Sequence, residues 1–147
     1  MRSQKPAGLI GAGGVNQSFL ARLPAVLEQV GPVKGSSLKV SRRIANGLRA
    51  GFGVDAYCDL APCGLIWILA PETSLDFIAS ELASAVPLTG KTVVLCDALR
   101  DSLRPSSLRT AGARVVTLNC LPESSERKFV GEGHPAALAE LRTKGVI

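Results

Sequence analysis

Ala7-Gly8-Leu9-Ile10-Gly11-Ala12-Gly13-Gly14-Val15-Asn16 sets a short apolar run directly against a cluster of glycines, and the reading of that junction decides the fold. Residues 7–10 read as a buried strand, and the glycines after them as a tight turn. Beyond the turn, apolar residues recur at Val15, Phe19, Leu20, Leu23, Val26, Leu27 and Val30, the three-and-four spacing that lays one stripe along a helix. Pro24 falls inside that stripe and removes a backbone donor, which predicts a kink or a restart. Strand, glycine turn and helix in this order form a cradle for an anion. Gly11 permits the turn, Gly13 leaves the backbone open to a pyrophosphate with no Cβ in the way, and the helix N-terminus offers free N–H groups and the positive end of its dipole. The candidate phosphate-facing residues are Gly11, Gly13, Gly14 and Val15. The third position of such a fingerprint is ordinarily Gly or Ala, so that helix and strand pack closely; here it is Asn16, which pushes the helix outward or sets an amide near the phosphates. The other reading of the cluster is a turn that uses glycine for geometry alone.

Working outward, residues 38–40 read as a second strand after a loop over 31–37. Ile44 and Leu48 then mark a short helix with glycine stops at Gly51 and Gly53. Residues 54–57 read as a short third strand. Leu65-Ile66-Trp67-Ile68-Leu69 is the clearest fourth, apolar throughout as a strand covered on both faces should be. Leu75, Ile78, Ala79 and Leu82 fall at helical spacing behind a Thr73 or Ser74 cap. Residues 92–96 repeat the buried-strand pattern, 99–111 contain a helix ending at Gly112, and 114–118 form another strand. Residues 119–134 are polar, with a loop over 123–128, and 135–144 carry a last helix. This alternation predicts an α/β fold, a doubly wound and mostly parallel sheet of Rossmann-like type, as one domain over residues 1–147 in which 119–147 supply a polar loop and the terminal helix.

The composition agrees with that class. The chain has 147 residues, 46% of them hydrophobic, enough to bury a core without staples. Its 17 Lys plus Arg exceed 12 Asp plus Glu by 5, but the cations are scattered and only 4% of residues are aromatic, so no nucleic-acid partner is expected. The cysteines at 58, 63, 96 and 120 lack the paired spacing of a zinc site, and the one histidine, His134, lies near the C-terminus. No metal is expected, and the cysteines read as reduced thiols in a cytoplasm. The longest strongly apolar run, residues 65–70, is far below the roughly 20 residues of a membrane span, and the N-terminus does not read as a signal peptide; no membrane association is expected.

Val40-Ser41-Arg42-Arg43 closes the expected second strand, where an NAD-preferring site has an acidic residue for the ribose hydroxyls. A hydroxyl and two guanidinium groups would instead receive a 2′-phosphate, because arginine presents paired donors to phosphate oxygens. Ser41, Arg42 and Arg43 are therefore candidate cofactor ligands, and NADP is favoured over NAD. The plainer alternative makes both arginines solvated residues at a helix start.

Gly8-Leu-Ile-Gly-Ala-Gly-Gly14, Val40-Ser-Arg-Arg43, Leu65-Ile-Trp-Ile-Leu-Ala-Pro-Glu72 and Ala111-Gly-Ala-Arg-Val-Val-Thr-Leu118 together resemble the N-terminal Rossmann-like domain of the 6-phosphogluconate dehydrogenase and pyrroline-5-carboxylate reductase superfamily. The resemblance covers nearly the whole chain and is nearest to a branch in which a helical domain follows. It implies that Ala70 and Pro71 line the nicotinamide ribose, with Thr73 nearby. Two places depart from related sequences: Cys96-Asp97-Ala98 stands where small hydroxyl and glycine residues are common, and Asn119-Cys120 replaces His-Pro. In the superfamily the helical domain supplies much of the substrate site, which leaves the catalytic residues unassigned here. The expected function is an NAD(P)-dependent oxidoreductase acting on a small-molecule substrate, incomplete as one chain, its substrate pocket assembled by homodimerisation, by a partner chain, or from Asp97, Asn119, Cys120 and the polar loop. The alternative is a non-catalytic dinucleotide-binding or sensing module. Cys120 as a nucleophile lacks a histidine placed to activate it, and His134 reads as a surface or capping residue. Asp97 reads either as a base or ribose ligand or as a helix cap.

Overall fold

Leu65–Leu69 forms β4, and its side chains feed two separate cores because successive residues of a strand point to opposite faces. The computed structural model describes residues 7–11, 27–70, 72–96, 106–120 and 129–143. Leu65, Trp67 and Leu69 join Ala7, Leu9, Val30 and Val33 in one core, while Ile66 and Ile68 join Ile10, Val93 and Leu95 in the other. Burial on both sides explains why this run has no polar position.

Among the described residues the sheet has seven strands, in the order β3-β2-β1-β4-β5-β6-β7. They are β1 (Ala7–Gly11), β2 (Val30–Lys34), β3 (Phe52–Val54), β4, β5 (Thr92–Cys96), β6 (Arg114–Cys120) and β7 (Phe129–Gly133). The first six are parallel, and β7 runs antiparallel against β6. Among the described residues, helices α1 (Leu38–Leu48) and α4 (Pro135–Thr143) cover the first core. Helices α2 (Glu72–Ala85) and α3 (Ser106–Thr110), with a 3-10 turn over Tyr57–Leu60, cover the second. This is the expected doubly wound, mostly parallel, Rossmann-like fold.

The largest correction concerns the second strand. Residues 38–40 are the first turn of α1, and the strand lies at Val30–Lys34, within the stretch expected as helix end and loop. Pro32 hid it, since proline cannot donate to a ladder on both sides. The structure accommodates Pro32 at a register shift: Ala7 pairs with Val30 but Leu9 with Val33, so Gly31 and Pro32 together oppose Gly8. Of the expected first helical stripe, Leu27 is helical and Val30 is strand; Val15, Phe19, Leu20, Leu23, Pro24 and Val26 lie outside the described residues.

Smaller corrections follow from local chemistry. The third strand is Phe52–Val54, and the segment after it tightens into the 3-10 turn. Helix α1 ends with Arg49 in the left-handed region at φ 54°, and Gly51 follows at φ 68°, where a Cβ would fall 2.2 Å from the carbonyl oxygen of Gly31. Helix α2 begins at Glu72, so Thr73 and Ser74 lie within it instead of capping it. Part of the tail expected as loop is strand: β6 continues to Cys120, and Phe129–Gly133 adds the antiparallel edge. His134 is exposed at the start of α4, with its Nδ1 accepting from the N–H of Ala137 at 3.5 Å.

Candidate functional site

Six parallel strands put their C-terminal ends on one edge of the sheet. Gly11 is level with Leu69, and Ile10 is level with Lys34 on the other side, so the ends of β1, β2 and β4 lie side by side. From β1 the chain order proceeds outward in opposite directions, to β2 and β3 on one side and to β4, β5 and β6 on the other. The crossover helices change faces between these two halves, α1 on one side and α2 and α3 on the other, which leaves a crevice at the strand ends, the place where open α/β sheets take ligands.

Gly11 and Ala70 flank this crevice, and both are buried. Gly11 has a packing reason for its identity, since a Cβ there would lie 3.0 Å from Ile44 Cδ1 of α1. Gly13, Gly14, Val15, Asn16 and Pro71 lie outside the described residues, as does Asp97. Asn119 and Cys120 are the last two residues of β6, one and two steps past the Cys96–Leu118 pair at the same edge.

With β2 relocated, the residues that leave its C-terminal end are Lys34, Gly35, Ser36 and Ser37. Ser37 caps α1: its Oγ accepts the N–H of Val40 at 3.2 Å, and its backbone is extended. Ser36 and Ser37 are exposed. Ser41, expected as a phosphate ligand, is instead 0% exposed on the inner face of α1. Its Oγ accepts the Gly35 N–H at 2.7 Å and donates to the Ser37 carbonyl at 2.9 Å, so the hydroxyl is already engaged. Arg42 and Arg43 are exposed, and with Lys39 and Asn46 they line a shallow concavity of about 580 Å³ on the outer face of α1.

Lys34 carries no signal of its own in the sequence, because Pro32 masks the strand that bears it. It is 7% exposed and, among the described residues, the only buried one with a charge. Its Nζ donates to the Gly35 carbonyl and sits 4.9 Å from the centroid of the Tyr57 ring. On this side a cleft of about 420 Å³ runs between Asp55, Tyr57 and Cys58 and the Glu81–Ser84 stretch of α2. Burial pushes the Tyr57 hydroxyl above its usual pKa, and the Glu81 carboxylate adds to that effect. The Ser36-Ser37 pair ahead of the Ile44–Ala45–Leu48 spacing was the available signal that a helix, and not a strand, begins at Leu38.

Cys58 and Cys63 are free thiols; Cys63 is buried, which raises its pKa, while the Lys91 charge partly lowers it. Among the described residues no three His, Cys, Asp or Glu side chains come together to hold a metal ion, and no helix is long and apolar enough to cross a membrane.

No family model matches the sequence, and no curated protein matches it. Solved structures do match the fold. An imine reductase variant from Myxococcus stipitatus in complex with NAD+ superimposes with a TM-score of 0.71 at 14% identity, over 97% of this chain and 51% of that one. A reductive aminase from Aspergillus terreus in complex with NADPH and ethyl levulinate gives 0.66 at 11% identity, over 97% of this chain and 53% of that one. An imine reductase from Bacillus cereus gives 0.64 at 19% identity, over 96% and 52%. The chain thus spans about half the length of these solved chains. At such identities the likeness is one of fold: this chain is similar to a Rossmann-like α/β unit that makes up one half of each.

Proposed function

We propose that this chain is the dinucleotide-binding half of an NAD(P)-dependent oxidoreductase, with NADP favoured and a small molecule as the second substrate. The observation that carries the reading is the charge of the segment leaving β2 at the crevice. From residue 29 to residue 54 the sequence has no Asp or Glu, while Lys39, Arg42 and Arg43 follow the two exposed serines. A carboxylate in that place would hold ribose hydroxyls and repel a 2′-phosphate; hydroxyls and guanidinium groups favour the phosphate. The NAD+ and NADPH complexes of fold neighbours support the same ligand class.

In this reading Gly11, Gly13, Gly14 and Val15 hold the pyrophosphate, and Ala70 and Pro71 border the nicotinamide ribose. Arg42 and Arg43, with Lys39, face the 2′-phosphate. Ser41 keeps its part in the site through the backbone it holds. The bound cofactor would supply or accept the hydride at its nicotinamide ring; the chain's own residues bind and orient it. A homodimer or a partner chain would bring the rest of the substrate pocket, and the free Cys58 and Cys63 thiols suit a cytoplasmic setting.

The test is a calorimetric titration with NADPH and NADH, followed by measurement of NADPH oxidation with imines, small keto acids and aldehydes. Tighter retention of NADPH than NADH supports the reading, and retention of neither overturns it. A second reading, a non-catalytic dinucleotide module acting with a partner, draws on the half-length coverage of the fold neighbours. Binding without turnover in any pairing would favour it.

A further inference from the structure

We propose that Lys34 and Ser41 are positioning residues that hold Gly35 at both its backbone groups, Ser41 at the N–H and Lys34 at the carbonyl, and thereby preset the loop that receives the cofactor's adenosine end. The inference rests on the dinucleotide-binding reading above, but its geometry is independent of it. The Gly35 N–H donates to Ser41 Oγ at 2.7 Å, and the Gly35 carbonyl accepts from Lys34 Nζ. Both partners are buried, at 0% and 7% exposure, so neither bond competes with water. Ser41 passes the constraint on by donating to the Ser37 carbonyl at 2.9 Å, which spans the loop from its first residue to its last. Lys34 is itself seated against the Tyr57 ring. Gly35 is required at the centre, because a Cβ there would lie 2.7 Å from Val40 Cγ1 and 3.0 Å from the Ser41 nitrogen.

The clamp has a chemical consequence. A loop whose backbone is held in advance at Gly35 and Ser37 loses little freedom when an anion arrives, and preorganised donors gain most where the ligand's charge is greatest. Lys34 and Ser41 therefore act on the preference for a phosphorylated ribose without touching the phosphate. A merely structural role would weaken both cofactors alike; a positioning role separates them.

The full-length chain is titrated with NADPH and with NADH as wild type, Ser41→Ala, Ser41→Thr and Lys34→Met, and exchange of the Gly35 amide is followed by NMR. Ser41→Ala and Lys34→Met are expected to lower the NADPH-over-NADH affinity ratio about tenfold, the scale of one buried hydrogen bond to an oriented group, while Ser41→Thr, which keeps the hydroxyl, retains it. The Gly35 amide is expected to exchange slowly in the wild type and quickly in Ser41→Ala. Wild-type protein that binds neither cofactor overturns the dinucleotide reading, and the exchange measurement then still decides the clamp. Variants that keep the wild-type ratio, or a Gly35 amide that exchanges as fast as that of Ser36 in the wild type, overturn the clamp alone. Should either the alanine or the methionine variant fail to fold, the other variant and the wild-type exchange rate decide between these outcomes.

Discussion

Gly53 of β3 lies against the backbone of Arg42 in α1, so closely that a Cβ on Gly53 would fall 2.6 Å from the Arg42 nitrogen and 2.9 Å from its Cα. The contact fixes how near the basic helix lies to the sheet edge. Backbone atoms of a helix cannot turn aside as a flexible side chain can, so α1 must shift as a unit if the glycine is replaced. Gly53→Ala is expected to cost about 1–3 kcal/mol, the range for inserting a methyl into a packed site. Equilibrium urea unfolding measures it, and an unchanged midpoint would refute the packing argument.

Lys91 ties the far end of the sheet to the loop before β4. Its Nζ donates to the Ala61 carbonyl at 2.6 Å and to the Cys63 carbonyl at 2.8 Å. Lys91→Met keeps the length of the side chain and leaves both carbonyls without this donor, at an expected cost of about 1–3 kcal/mol. The same variant removes the charge that holds the Cys63 pKa down against burial. Alkylation of Cys63, followed by mass spectrometry in the native protein, should therefore slow further relative to Cys58. Equal or faster labelling of Cys63 in the variant would contradict the placement of that ammonium.

Tyr57 is the only tyrosine in the chain, so its titration can be read directly from ultraviolet absorbance. Burial and the Glu81 carboxylate raise its pKa in the folded state above the unfolded value. A raised folded pKa stabilises the protein fully at pH below the unfolded value, near 10, and this contribution is lost as pH climbs through the folded value. Stability should thus decline in the alkaline range above about pH 10 in part because of Tyr57. The Tyr57→Phe variant should show a shallower decline. A tyrosine that ionises at its ordinary value in the folded protein would remove the basis of this expectation.

Arg42 and Arg43 share the outer concavity of α1 with Lys39. Replacing Arg42 by Ala is expected to weaken NADPH binding about tenfold and NADH binding by much less, since only the former carries the extra phosphate. The NADPH loss should shrink at high salt, because the group is exposed. Equal effects on the two cofactors, read by calorimetry, would show that the arginine does not face the ribose phosphate.

Much of the fold was legible because its signals are local. The apolar run at Leu65–Leu69 and the similar one at Thr92–Cys96 can only be strands covered on both faces, and the strand observed at each place has the expected bounds. The helical spacing of Leu75, Ile78, Ala79 and Leu82 likewise corresponds to the buried face of α2. The candidate site was less legible. Ser41 and Arg42 are adjacent in sequence and both polar, yet one turns into the core and the other into solvent, which depends on where the helix starts. The Ser41 hydroxyl meets the Gly35 N–H and the Ser37 carbonyl because residues 38–41 are helical, a geometry that a strand over 38–40 would not produce.

The alternation of strand and helix, and with it the Rossmann-like class, was legible in the sequence alone, because periodicity and turn chemistry act over a few residues at a time. Tertiary structure decided the rest. Val30–Lys34 is a strand only because β1 and β3 pair with it on either side and a register shift takes up Pro32. Phe129–Gly133 is a strand only because the preceding strand, β6, offers it an open edge for antiparallel pairing. Strand pairing leaves no periodic mark on a short polar or proline-containing run, so the local bonds among Lys34, Gly35, Ser37 and Ser41 became visible only once pairing had fixed where β2 ends and α1 begins.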